Sequence, residues 1–344
     1  MLVALAMVLA ACGDDDAATT TAAPTTTAAP TTTAAALTDV ILLIPNPSAV
    51  IWYNACAAIG QGFFAEEGLN VTTEALDGSG AVMQAIAAGQ AKFGAPGPGP
   101  MMGAMSRDEQ FVGIYNHFAQ SLFGLVVPED SAFQVPADLA GTVVGVGTAE
   151  GSEVSYVRGI LTEAGLTENV DYTFLPVGDG GQATAAFERG EITSYAAGLP
   201  DMAVMEERGL ALRDITPDSF LILFGNMYAT SASTVANEPE LVQAFVNGLV
   251  KGTQFAQNPA NRDAVLADCA DLNPEEGSEP SLAGRIMDFA VARTVPLGGL
   301  RPGIFDPAGW EAWLTNLLAS GELTEALDLN MLYTNVFVEA AYAG

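Results

Sequence analysis

From Leu37 onward the chain alternates short apolar runs with helix-patterned segments closed by glycine, and this alternation constrains the fold most. Residues 39–44 (DVILLI) read as a buried strand. It is stopped by Pro45-Asn46-Pro47, because β-branched residues suit a pleated sheet and proline cannot extend its ladder. Ser48 is predicted to cap a helix reaching Glu67, with Gly68 just past its end. Residues 69–74 alternate like a strand, and Asp77-Gly78-Ser79-Gly80 opens a helix through Ala88. A short strand at 91–95 precedes the rigid turn Pro96-Gly97-Pro98-Gly99-Pro100. A Met-rich helix from Met101, whose Met101, Met102 and Met105 read as core, leads to strands at 110–115 and 123–127. The second half repeats the scheme, with strands at 142–146, 172–177 and 192–197 and helices at 153–164, 182–189 and 200–208. An apolar strand is predicted over 220–229, then helices at 240–257, 259–268, 282–292, 307–320 and 322–327. Such alternation implies an α/β architecture with parallel sheets covered on both faces. Ligands in these sheets bind at the carboxyl ends of the strands.

The front of the chain differs in kind. Residues 1–11 (MLVALAMVLAA) form an apolar run too short to span a bilayer but long enough for a signal-peptide core. Leu9-Ala10-Ala11-Cys12 resembles a bacterial lipobox, in which the cysteine is lipidated and becomes the new N-terminus. No Lys or Arg precedes Cys12, so the natural start is expected upstream of Met1. The linker 12–36 is Asp-rich at first and only Thr, Ala and Pro from 17 to 36, a composition that cannot bury apolar area and predicts a disordered stalk. The expectation is an exported protein anchored to the outer face of the cell membrane through Cys12.

Charge narrows the partners. The 344 residues carry a formal charge of −30, with 11 Lys and Arg against 41 Asp and Glu. Nucleic-acid binding is excluded, because phosphate neutralisation needs clustered cations. The three cysteines, Cys12, Cys56 and Cys269, are too few for a disulfide scaffold. Cys56 and Cys269 read as small core residues, able to pair only if their Cα atoms come within about 7 Å. One histidine, His117, and two scattered cysteines make no metal set, and no cofactor is expected. Gly145-Val146-Gly147 with Gly151 falls one residue out of step with a dinucleotide fingerprint.

A family pattern runs through the first half. Pro45-Asn46, Tyr53-Asn54-Ala55 and the run from Gly62 to Val71 (GFFAEEGLNV) carry it, with Ala85-Ile86-Ala87-Ala88-Gly89-Gln90 and Leu139 to Val146 (LAGTVVGV). It resembles the substrate-binding proteins of ABC importers for nitrate, sulfonates, taurine and thiamine precursors. Lys92 stands near the family's usual aspartate, a departure. The resemblance implies two doubly wound lobes joined by two crossover strands, the type II periplasmic-binding-protein fold, followed by C-terminal helices. Lobe one would comprise 37–127 plus 225–344, and lobe two 128–224. It further implies a monomer that holds a small molecule between the lobes and delivers it to an importer permease. An enzyme of thiamine-pyrimidine synthesis shares the fold but depends on a cysteine-rich motif and histidines that this chain lacks, so no catalysis is expected.

Strand-to-helix loops supply the candidate ligand contacts, because their amides lack intrahelical partners. They are Asn46, Trp52, Tyr53, Asp77, Ser79, Gly80, Pro96, Gly97 and Asn116 in the first half, and Thr148, Glu150, Ser152 and Asp201 in the second. The resemblance places Asn46 and Tyr53 at ligand-facing positions of thiamine-precursor binders. Trp52 and Tyr53 are adjacent on a helix, so at most one points squarely into the cleft. Asn46 could equally hold its turn, and Ser79 and Ser152 could be plain helix caps. Aromatic rings and carboxylates without Lys or Arg in these loops favour a neutral or cationic nitrogenous ring, such as a thiamine pyrimidine, stacked and hydrogen-bonded at its amino groups. The alternative is a sulfonate, taurine or nitrate anion held by helix N-termini and hydroxyls.

Overall fold

The computed structural model describes residues 36–343. The apolar leader, Cys12 and the linker up to residue 35 lie outside the described residues. No described helix is long and apolar enough to cross a membrane.

The first half runs β1 (Thr38–Ile44), α1 (Tyr53–Gly60), α2 (Phe63–Glu66), β2 (Leu69–Ala75), α3 (Gly78–Ala87), β3 (Phe93–Gly94), α4 (Pro98–Met105) and β4 (Phe111–Tyr115). The second runs β5 (Phe123–Pro128), β6 (Thr142–Val146), α5 (Ser152–Glu163), β7 (Tyr172–Pro176), α6 (Gly180–Glu188), β8 (Ser194–Gly198), α7 (Leu199–Glu207) and β9 (Leu212–Asp214). After β10 (Tyr228–Ser231) come α8 (Ala232–Asn237), α9 (Pro239–Ala256), α10 (Arg262–Leu272), α11 (Pro274–Gly277), α12 (Pro280–Arg293), α13 (Pro307–Ala319) and α14 (Val336–Ala343).

Two five-stranded sheets form, ordered β2-β1-β3-β10-β4 and β7-β6-β8-β5-β9. Within each, the strands of the βαβ units pair in parallel, as expected: β1 with β2 and β3, and β6 with β7 and β8. The sheets are nevertheless mixed. β5, expected at the end of lobe one, lies in the second sheet, antiparallel to β8 and β9, and β10 enters the first sheet antiparallel to β3 and β4. The chain therefore changes sheets within 116–122 and again within 215–227. These passages touch: Phe118 donates its N–H to Asn226 at 3.0 Å and accepts from Gly225 at 2.9 Å. A side chain at Gly225 would lie 2.2 Å from Leu122, so glycine permits this approach.

Other departures have local causes. The first helix is broken: a 3-10 turn, Val50–Trp52, precedes α1, and Gly62 at φ +79° separates α2. The 220–229 strand shrinks to Tyr228–Ser231, because the residues before it form the second passage. Residues 322–327 are not helical; Glu322 instead meets Arg158 at 2.7 Å and accepts from the Ser155 hydroxyl, tying the C-terminal segment to α5. Lys92 is exposed and paired with Glu238.

One core packs β1 against α1, α9 and α12, including a parallel stack of Phe93 on Phe245 at 4.0 Å. A second contains the methionines of α4, with Met101 and Met102 fully buried beside Val144, Tyr156 and Trp313, and so belongs to both halves. Cys56 in α1 and Cys269 in α10 form a disulfide with Cα atoms 5.0 Å apart, where the sequence offered two small core residues. It closes a loop with a sequence separation of 213, and long closed loops restrict the unfolded chain most. Replacing both cysteines by Ala is expected to lower unfolding stability by roughly 2–5 kcal/mol. Denaturant titration with and without reductant checks this, and coincident midpoints for the oxidised and reduced protein would show that the bridge contributes nothing.

Candidate functional site

The carboxyl ends of β1, β2, β6, β7 and β8 face a common cleft of about 1450 Å³. Asn46, Ser48, Trp52, Asp77 and Ser79 line one wall, and Thr148, Ser152, Glu153, Asp179 and Asp201 the other. Phe118, Leu122 and Asn226 from the two passages close the back, and Glu276 and Ile286 come from the C-terminal helices.

Trp52 and Tyr53 part company as their adjacency requires. Trp52 lines the cleft, 2% exposed, with its indole 5.1 Å from and stacked on the imidazole of His117. His117 Nε2–H donates to the Ile51 carbonyl at 2.7 Å, and burial pushes its pKa down to about 4, so the ring behind the tryptophan is neutral. The indole N–H has no partner among the described residues. Tyr53 does not line the cleft: it is fully buried, its ring 5.5 Å from that of His117 and its hydroxyl 2.5 Å from that of Thr294. Its expected place facing the ligand is corrected: it is core. Asn46 lines the cleft but spends its side-chain oxygen on the Ser48 N–H at 3.1 Å, holding the turn.

Ser79 and Ser152 cap nothing. Their hydroxyls meet at 2.7 Å, α3 to α5, on the cleft floor, where Ser79 also accepts from the Gly97 N–H at 3.1 Å. A Cβ at Gly97 would fall 2.1 Å from the Ser152 hydroxyl, which explains the glycine. Gly80 donates to the Glu150 carbonyl at 3.2 Å, so Gly80, Pro96, Gly97 and Glu150 join the halves rather than line the cleft. Asn116 lies elsewhere, its amide 3.4 Å from the Ile304 carbonyl, lining a separate small cavity.

The second wall is acidic. Asp201 accepts from Gly180 N–H at 2.8 Å and Gly198 N–H at 3.0 Å, occupying the N-termini of α6 and α7 together. Burial and the neighbouring Asp179 push its pKa up to about 7. Burial, with Asp201 and Asp179 nearby, raises Glu153 to about 7 as well. Asp179 is raised by burial and by Asp77 on the opposite wall, so carboxylates face one another across the gap. Two cations line the cleft as well: Arg189 is held by Glu191 at 2.7 Å, and the Arg208 guanidinium donates to the Gly181 carbonyl at 3.4 Å, at the start of α6.

Sequence reasoning missed Glu153 and Asp179, and it missed both arginines because they lie at helix ends. It also missed Glu276. That carboxylate accepts from the Ser48 hydroxyl at 2.6 Å and from the N–H groups of Ala49 at 2.7 Å and Val50 at 3.1 Å. Ser48, expected to cap the first helix itself, hands that task to a residue 228 positions away.

A family model described as NMT1/THI5 like matches residues 52–262. The chain belongs to the NMT1/THI5-like family. Solved structures place its fold. The alkanesulfonate-binding protein SsuA from Xanthomonas axonopodis pv. citri, bound to MOPS, superposes with a TM-score of 0.67 at 16% identity, over 88% of this chain and all of that one. The periplasmic nitrate-binding protein NrtA from Synechocystis PCC 6803 gives 0.67 at 14% identity, over 89% of each chain. The desulfurization enzyme DszB gives 0.57 at 17% identity, over 89% of this chain and 99% of that one. No curated protein sequence matches significantly. This NMT1/THI5-like chain thus has the two-lobed α/β periplasmic-binding-protein fold with C-terminal helices, a fold that also serves an enzyme.

The raised carboxyls make a pH prediction. Unfolded carboxyls titrate near about 4, so Glu153 and Asp201 favour the folded state while protonated. That contribution is complete below the unfolded value and is lost as pH rises through about 7. The melting temperature of the empty protein should fall from pH 5 to pH 8, and less steeply in Asp201→Asn. Equal slopes in the two proteins would show that Asp201 is not a raised group.

Proposed function

We propose that this chain is an extracytoplasmic solute-binding protein of an ABC importer, and that it holds a small cationic or amino-bearing heterocycle, of the thiamine-pyrimidine kind, between its lobes. The observation that carries this is the convergence of Asp77, Glu153, Asp179 and Asp201 from both walls of a cleft that Trp52 also lines. Like charges facing each other in a partly desolvated gap are costly, and a positive or proton-donating ligand relieves them. An aromatic face nearby suits a flat ring, by stacking and by cation–π attraction. Among the described residues no group of three or more His, Cys, Asp and Glu is set to hold a metal ion, which favours an organic solute.

On this reading lobe one is built on the first sheet and lobe two on the second, and the lobes close by bending at 116–122 and 215–227. Binding rather than catalysis fits a cleft whose lone buried histidine is neutral and committed to a backbone carbonyl. Lipidation of Cys12, delivery to a permease and a monomeric state complete the proposal.

A thermal-shift screen against an aminopyrimidine precursor of thiamine, thiamine, a polyamine, taurine, methanesulfonate and nitrate tests it, since a ligand that binds only the native state raises the melting temperature. The heterocycle is expected to stabilise, and more strongly at pH 8 than at pH 6 as Glu153 and Asp201 ionise. Trp52→Ala should weaken binding by about tenfold or more, whereas Tyr53→Phe should leave affinity unchanged. Stabilisation by the anions and not by the heterocycles would overturn the ligand class.

A further inference from the structure

The four-residue helix α11 is pinned where it stands. Asn273 accepts from the Glu276 N–H at 3.1 Å, and its amide donates to the Pro47 carbonyl at 2.8 Å, so α11 is fastened to the loop that follows β1. From that perch Glu276 places both carboxylate oxygens on donors of the opening turn, Ser48, Ala49 and Val50. These N–H groups open the 3-10 turn Val50–Trp52 that leads into α1, where backbone donors have no partner within the turn. The donors of this turn are thus occupied by a residue of the chain itself.

We propose that Glu276 is a specificity-determining residue, a resident counter-anion that closes the first wall of the cleft to anionic solutes. The inference rests on the reading that the cleft holds a solute, but not on which heterocycle it is. An incoming sulfonate or nitrate would need the same donors and would meet a carboxylate already engaged in charge-assisted bonds. Glu275 and Glu279 line the same stretch and add to the repulsion. The second wall is built alike, since Asp201 fills the donors at the starts of α6 and α7. A carboxylate serving only as a helix cap would affect stability and leave selectivity untouched, and that difference makes the inference testable.

The full chain and its Glu276→Ala and Glu276→Gln variants would be titrated calorimetrically with methanesulfonate and with nitrate, alongside melting curves without ligand. Glu276→Ala frees the donors and removes the charge, and should bind methanesulfonate about ten- to a hundredfold more tightly than the wild type. Glu276→Gln removes the charge but keeps an acceptor, and should fall between. Equal anion affinity in all three proteins overturns the inference, as does a wild type that binds the anions as tightly as either variant. If Glu276→Ala melts too low to titrate, Glu276→Gln decides alone: a gain supports the inference and no gain overturns it. A gain in the variants while the wild type ignores every heterocycle keeps this inference and sinks the heterocycle reading; heterocycle binding with no gain in the variants does the reverse.

Discussion

Each sheet of this molecule contains one strand, next to its edge, that runs against its βαβ units and abuts a passage between the sheets. β5 follows the first set of βαβ units yet pairs in the second sheet, and β10 follows the second set yet pairs in the first. Both run antiparallel to their neighbours, which is why an alternating sequence that implies parallel sheets gives mixed ones. The two passages bond to each other at Phe118, Gly225 and Asn226, directly behind the cleft. Elsewhere the halves meet at the Ser79–Ser152 hydroxyls, the Gly80–Glu150 backbone bond and the Arg285–Glu207 ion pair, and through the core around the α4 methionines.

The polarity of the cleft follows from how helix ends are satisfied. An α/β cleft collects helix N-termini, which by default favour negative charge. Here Asp201 and Glu276 supply carboxyl acceptors to those amides internally, at opposite walls. Asp77, Asp179 and Glu153 line the same cleft, with Glu153 accepting backbone hydrogen bonds from its own N–H and that of Thr148.

Much of the architecture was legible because it rests on local signals. Strand and helix periodicity and glycines past helix ends, such as Gly68 at φ +79° and Gly89 at φ +71°, placed most elements within a few residues. The same signals located the Asp77–Gly80 and Thr148–Ser152 loops, which do meet at the floor of the cleft. What could not be read depends on pairings remote in sequence. Nothing near Ser48 announces that Glu276 will cap its helix, and nothing near Cys56 announces Cys269. The choice between Trp52 and Tyr53 leaned to Tyr53, which is core instead, because it turns on the packing of His117 and Thr294, which adjacency alone does not reveal. Residues 322–327 had helical composition, yet Glu322 is drawn into the Arg158 ion pair instead.

The disulfide has a mechanical meaning beyond its stability. Cys56 lies one turn after Trp52, and Cys269 lies seven residues before Glu276. The covalent bond thus ties the helix that carries the aromatic platform to the helix that leads into the acidic plug, and the two must travel as one plate. Half of the cleft is then preassembled before any solute arrives, and the entropy of ordering it has already been spent during folding. What a ligand has to organise is confined to the facing wall and to the bend behind it.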